Sequence, residues 1–163
     1  MTTTTATTTA TTTATAPVAA PALNPRSIAL AHYAARALLE GVLARHGATF
    51  EQSVTLRAVT AAGGSVGAGE LVAEVTGALK APEAAVRAVV GELTAAALLA
   101  ERPDGSLELT TAGRELYERA GAETAGISAR LYAGIPDADL AAAGRALALI
   151  TERANAELAR QAG

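Results

Sequence analysis

Few side chains in this sequence could do chemistry, and their types narrow what that chemistry is. With no cysteine there is no disulfide, thiolate metal site or cysteine nucleophile. The two histidines, His32 and His46, lack a carboxylate pattern that would complete a zinc site. No nucleophile is spaced with a base, no carboxylates pair for acid–base work, and Gly63, Gly64, Gly67 and Gly69 lack the preceding strand and Lys-Ser/Thr of a phosphate-binding loop. Catalysis, a metal and a cofactor are therefore not expected. What remains is a sparse set of donors, Lys80, Arg87 and Arg102, with Ser65 and Arg57 upstream. Such groups can bond phosphate oxygens and base edges, provided the fold turns them to one surface.

The elements that would do so lie between Val66 and Arg119. Leu71, Val72 and Val75 mark the buried face of a helix from about Glu70 to Ala78, and Val86, Val89, Val90 and Leu93 mark a second. Between them Pro82 suits a first helical turn, with Glu83 at the positive end of the helix dipole. After Leu98 and Leu99 the period changes. Pro103-Asp104-Gly105 and the alternation in Ser106-Leu107-Glu108-Leu109 predict a hairpin, and Thr110 or Thr111 then caps a new helix with Glu115 in its first turn. Helix, turn, helix, hairpin, helix is the outline of a winged helix-turn-helix. In that outline the second helix enters a major groove and the wing reaches the neighbouring backbone or minor groove. Lys80 and Arg87 are then the best candidates on the helix and Arg102 the basic residue of the hairpin. Ser65, in the loop before the motif, and Arg57, on the preceding helix, are candidates for the phosphate backbone. Each has a plainer alternative: Arg102 can pair with Glu101 or Glu108, and Ser65 can be only a loop residue.

Charge opposes a broad cationic surface. The chain carries a net −3, and Val66–Arg119 holds five basic against nine acidic residues, a net −4. Nonspecific coating of nucleic acid is excluded, whereas a specific site with few cations is not.

The remaining residues read as support. Residues 1–25 contain no ionisable side chain and eleven threonines in the first sixteen positions, predicting a disordered Thr/Ala-rich tail. They also lack the charged start and apolar block of a signal peptide or membrane span. Asn24 and Pro25 open a helix that Gly47 ends, and Thr49–Gln52 has the spacing of a capping box. Leu116, Ala120, Ile127 and Leu131 stripe a further helix; Gly134–Asp137 breaks it, and Leu140, Leu147, Ile150 and Leu158 stripe a last one. With only Phe50 and three tyrosines as aromatics, the core must be Ala, Leu and Val, and such residues favour helix. Three apolar-striped helices outside the winged unit predict a two-fold dimer in which each buries its stripe. The expected fold is mainly α with a small β-hairpin wing: a winged helix-turn-helix at about 49–113, with N- and C-terminal dimerisation helices at about 26–46 and 111–160.

The succession Glu70-Leu71-Val72, Val86 to Leu93, Leu98 to Arg102, Asp104-Gly105 and Leu109-Thr110-Thr111-Ala112-Gly113-Arg114 resembles the MarR family of winged-helix regulators. The Leu-Thr-x-Ala-Gly-Arg run is its most specific part, and the likeness spans roughly residues 26–160. It implies a cytoplasmic homodimer that binds double-stranded DNA at a pseudo-palindromic site and is modulated by a small-molecule effector, with no membrane association. By the resemblance alone, His32, Tyr33 and Arg36 are candidate lining residues of an effector pocket. The hairpin departs from the family pattern, being shorter and without its Asp-x-Arg wing. The alternative reading is a winged-helix dimer, acting in protein interaction or ligand sensing, that has lost DNA binding.

Overall fold

Local signals start and stop the helices largely where the sequence predicts. The computed structural model describes residues 22–161, and the expected tail lies outside them up to residue 21. The described chain divides into two units between Ala35 and Arg36. Helix α1 (Pro25–Arg45) is capped by Asn24, whose Oδ1 accepts the Ser27 N–H at 3.0 Å. It ends with Gly47 at φ +70° and the Ala48 N–H bonded back to the Leu43 carbonyl, a Schellman closure. Helix α2 (Phe50–Ala61) carries the predicted capping box, with Thr49 and Gln52 bonding reciprocally. Strand β1 (Ser65–Gly67) leads into α3 (Ala68–Leu79), and α4 (Glu83–Ala95) follows. Strands β2 (Leu99–Glu101) and β3 (Ser106–Leu109), then α5 (Thr111–Tyr132) and α6 (Asp137–Gln161), complete the order.

Two expectations need correction. The wing is a three-stranded antiparallel sheet in the order β1-β3-β2, since Ser65, Val66 and Gly67 pair with Glu108, Leu107 and Ser106. Ser65 is therefore a strand residue and not part of a loop. A three-residue strand shows no alternation of its own; it exists because β3 offers it a partner edge. Glu115 also lies beyond the first turn of α5, where it pairs with Arg119 instead of meeting the helix dipole.

The main core joins α2, α3, α4 and the sheet, with Leu56, Leu71, Leu93, Leu99, Val59 and Val75 almost fully buried. Aliphatic burial of this kind contributes roughly 1.5–3 kcal/mol per large side chain. A smaller cluster, Val42, Leu43 and Ala120, ties the end of α1 to α5. Phe50, the chain's one phenylalanine, packs against both clusters and is their shared wall.

The junction into α5 explains the Leu-Thr-x-Ala-Gly-Arg run. The Thr110 hydroxyl accepts the Gly113 N–H at 3.0 Å as the helix cap, and Thr110 donates from its N–H to the Leu98 carbonyl at 3.2 Å. A Cβ added at Gly113 would stand 2.1 Å from that same carbonyl oxygen and 3.1 Å from Leu109 Cδ1. Only glycine lets α5 lie against the entry to β2. Gly113→Ala is expected to destabilise the fold by about 3 kcal/mol, because the clash is with backbone and cannot rotate away; denaturant unfolding measures it, and a loss under about 1 kcal/mol would mean that α5 is not pinned there.

Outside the cores, Glu123 on α5 accepts hydrogen bonds from Arg45 and, at 3.1 Å, from His46 Nε2, both at the end of α1. The Arg45 and His46 bonds, in that order, hold the Glu123 carboxyl below the usual glutamate range. A carboxylate depressed on folding stabilises above its ordinary value and loses that contribution as pH falls through the depressed one. Glu123→Gln should thus flatten the acid limb of the stability curve between about pH 5 and pH 2. Parallel curves for the variant and the parent would show that the cluster does not link α1 to α5.

Candidate nucleic-acid interface

Helices α3 and α4 meet across Lys80, Ala81 and Pro82. Pro82 caps α4 and disfavours helical backbone at Ala81, so the chain must reverse within one residue before it. Lys80 takes that role at φ 54°, ψ 34°, a left-handed conformation that costs a non-glycine residue on the order of 1 kcal/mol. This corrects its expected place: Lys80 stands in the turn, exposed, and not on α4.

Burial of Val86 and Leu93 orients α4 and leaves Glu83, Ala84, Arg87, Ala88 and Gly91 exposed on the opposite face. Arg87 donates to Glu83 Oε1 from Nε at 2.9 Å and from Nη2 at 2.5 Å. At the wing, Arg102 Nη1 donates to Glu108 Oε2 at 2.7 Å, the pairing anticipated as its plainer role. Both arginines are therefore partnered, though by surface pairs that hold them by only ~0–1 kcal/mol and can be exchanged for a stronger acceptor. Arg87 and Glu101 border the same open depression of about 540 Å³ between α3, α4 and the sheet, which brings the helix face and the wing together.

The wing tip is a four-residue turn, Arg102 to Gly105, closed by Gly105 N–H on the Arg102 carbonyl at 2.9 Å with Gly105 at φ +79°. Asp104 Oδ1 accepts the Ser106 hydroxyl at 2.6 Å and its N–H at 3.0 Å. Those bonds, the hydroxyl first, lower the Asp104 pKa and keep the tip anionic. Together with Glu101 and Glu108, this sets three carboxylates around Arg102, the one cation of the wing.

The remaining candidates disperse. Ser65 is half-buried with its Oγ 3.4 Å from Ser106 Oγ, committed to the sheet and not presented as a loop donor. Arg57 is exposed on α2 and borders a cavity between α2 and α3 with Glu74 and Ala78, apart from the depression that Arg87 borders. Arg36 lies 4.3 Å over the Phe50 ring and pairs with Glu40 and Glu51, with the Glu40 bond the main cause of its raised pKa. His32 and Tyr33 are exposed on α1 in an edge-to-face pair with centroids 5.8 Å apart.

A different cavity, about 410 Å³, opens between α1, α2 and α5, lined by Leu39, Leu43, Leu56, Arg57, Tyr117 and Thr124 among others. Its walls are mostly apolar with one cation, Arg57, one carboxylate, Glu118, and several hydroxyls, the composition of a small-molecule site. Sequence reasoning missed Tyr117. The available signal was an aromatic residue in a chain with only four, one place off the apolar stripe of α5.

No protein-family model matches the sequence, and no curated protein matches it. Solved structures do. The reduced form of MarR from Escherichia coli is similar at a TM-score of 0.63 and 17% identity, over 80% of this chain and 95% of that one. CouR from Rhodococcus jostii bound to p-coumaroyl-CoA is similar at 0.66 and 18%, over 77% and 89%. A MarR-family protein of Mycobacterium tuberculosis in complex with DNA is similar at 0.60 and 22%, over 79% and 98%. At these identities the likeness is one of architecture, and with the helix-turn-helix and three-stranded wing described above it establishes that the chain has the winged-helix fold of the MarR-family regulators.

Proposed function

We propose that this protein is a sequence-specific, DNA-binding transcriptional regulator that acts as a homodimer on a pseudo-palindromic site, modulated by a small ligand held between α1, α2 and α5. The observation that carries the reading is the exposed outer face of α4, which follows a tight turn and adjoins the wing, as a recognition helix requires. The shared fold supports it, since one protein of that fold was solved with DNA and another with p-coumaroyl-CoA bound. Lys80 and Arg102 are the phosphate contacts of this reading and Arg87 the base contact. Arg57 and Tyr117 belong to the ligand cavity, while His32, Tyr33 and Arg36 have no support there beyond the resemblance. Such a role is carried out in the cytoplasm, and among the described residues no helix is long and apolar enough to cross a membrane.

The dimer rests on α6. This helix of 25 residues buries none of its own side chains, while Leu147, Leu149, Ile150 and Leu158 stand 41–51% exposed. A long helix draws its stability from packing an apolar face, so these residues call for a partner surface, and a two-fold copy supplies one. Leu131 and Ile135, also exposed, extend the same demand to the end of α5 and the turn that follows.

A second reading keeps the dimer without DNA. It is favoured by one specific observation: the arginines of α4 and of the wing both already hold carboxylates, in a segment of net −4. Fluorescence anisotropy with the DNA flanking the gene separates the two. The DNA reading expects binding that weakens about a hundredfold between roughly 50 and 200 mM salt, as about four phosphate contacts per dimer imply. No binding at the lower salt, with a dimer intact by light scattering, would establish the second reading. Relief of left-handed strain makes Lys80→Gly more stable by about 0.5–1 kcal/mol yet weaker on DNA, with the salt slope reduced by about two per dimer. Ala97→Gly, at the other left-handed residue, φ 55°, should gain similar stability and leave DNA affinity unchanged. Equal affinity for both variants would remove Lys80 from the interface.

A further inference from the structure

The outer face of α4 combines two long polar side chains, Glu83 and Arg87, with the small residues Ala84, Ala88 and Gly91. The two are bound to each other through a single carboxylate oxygen, Glu83 Oε1, which takes both the Nε and Nη2 of Arg87. Among the described residues no donor reaches Glu83 Oε2 and no acceptor reaches Arg87 Nη1. Both side chains are 60% exposed. The couple therefore shows solvent one free acceptor beside a free donor edge, at the N-terminal end of the helix, where a recognition helix meets base edges.

We infer that Glu83 and Arg87 act as one reading unit that selects a C·G pair in each half-site, with Glu83 accepting from the cytosine amine and Arg87 donating to guanine. This rests on the DNA-binding reading above and specifies its sequence preference. In the major groove a C·G pair offers the guanine O6 and N7 acceptors beside the cytosine N4 donor. Arg87 can turn its two Nη groups to O6 and N7 while Nε stays on Glu83, and Oε2 then faces the amine. A T·A pair lacks the doubled acceptor and sets a thymine methyl against the carboxylate. The two hydrogen bonds through Glu83 Oε1 bring the ends of both side chains together, so one base pair can meet them both. Ala84 and Ala88, exposed beside the couple, are suited to contact with neighbouring thymine methyls.

Glu83 also has a second effect. By neutralising Arg87 in the free protein it removes that cation from nonspecific phosphate contact and leaves its hydrogen bonds to be won only where the correct base pair supplies both partners. Loss of the carboxylate should therefore raise affinity for random DNA while lowering discrimination, opposite in direction to the loss of an ordinary contact.

The test is selection of binding sites from a random DNA pool by the full chain, then titration of the selected duplex. The wild type is expected to enrich a C·G pair in each half-site, and replacing it by T·A should weaken binding about ten- to hundredfold. For Glu83→Gln the same replacement should cost less than it costs the wild type, since the glutamine amide can donate to the thymine O4, and affinity for unselected DNA should rise. Arg87→Ala should keep the salt dependence and lose the base preference. Enrichment of the same C·G-containing site by wild type and Glu83→Gln, with equal penalties for its replacement, overturns the inference and leaves the couple as a surface ion pair. A wild-type site with no C·G preference overturns it equally. No enrichment by the wild type at low salt overturns the DNA reading and this inference together. Both substituted positions are exposed, and circular dichroism confirms the fold of each variant.

Discussion

The carbonyl oxygen of Leu98 is the contact on which the arrangement of the described elements turns. It accepts the Thr110 N–H, lies within 3.1 Å of the Thr110 hydroxyl, and leaves no room for a side chain on Gly113. Just before it, Ala97 reverses the chain in a left-handed conformation with the Leu98 N–H returned to the Leu93 carbonyl at 2.9 Å. Across the three residues Ala96, Ala97 and Leu98, then, α4 gives way to β2 and α5 is laid across the junction. Tyr117, on the cavity between α1, α2 and α5, is one helical turn beyond Gly113. On the reading of that cavity as a ligand site, an occupant presses on the helix whose start is fixed at the end of α4. No flexible linker intervenes to absorb the displacement.

Much of this architecture was legible because it is written in local rules. The helical periods, the Thr49–Gln52 capping box, the Gly47 stop and the Pro103–Gly105 turn are each decided by neighbours within a few residues, and each is present. What escaped reading is decided by partners distant in sequence. Ser65–Gly67 is a strand only because β3 pairs with it. Ala97 carries no sequence sign of its positive φ, and Lys80 looked helical because nothing local marks a lysine as the reversal point. The candidate site was less legible still: Lys80, Arg87 and Arg102 were recognisable as donors and the Arg102 pairing was anticipated, while the Arg87 pairing with Glu83 was not. That Arg87 and Arg102 each hold a carboxylate depends on rotamers and cross-strand register, which composition does not reveal.

The same pairing bears on how an acidic segment could read DNA at all. Nonspecific affinity comes chiefly from unpaired cations releasing counterions, and this face has few to offer. Exposed ion pairs are weak, so exchanging Glu83 or Glu108 for a better-placed acceptor costs little where one exists. Where none exists the arginines stay at home. On the DNA-binding reading, a face built this way sacrifices general affinity and retains contrast between right and wrong sequences, which is what competition from a genome of nonspecific sites demands.

That sacrifice has a requirement of its own, and it falls on the terminal helices. One weak winged unit would hold DNA too briefly to act. Two units joined rigidly make the second contact intramolecular, so affinities multiply and stay contingent on both half-sites being right. The joining surface must then be rigid and permanent, hence apolar. The exposed Leu147, Ile150 and Leu158 of α6 are residues of that kind in a helix that buries nothing alone. On this reading the poverty of cations on α4 and the surplus of unburied aliphatics on α6 are two sides of one design: specificity moved from charge to geometry, with the geometry supplied by the dimer.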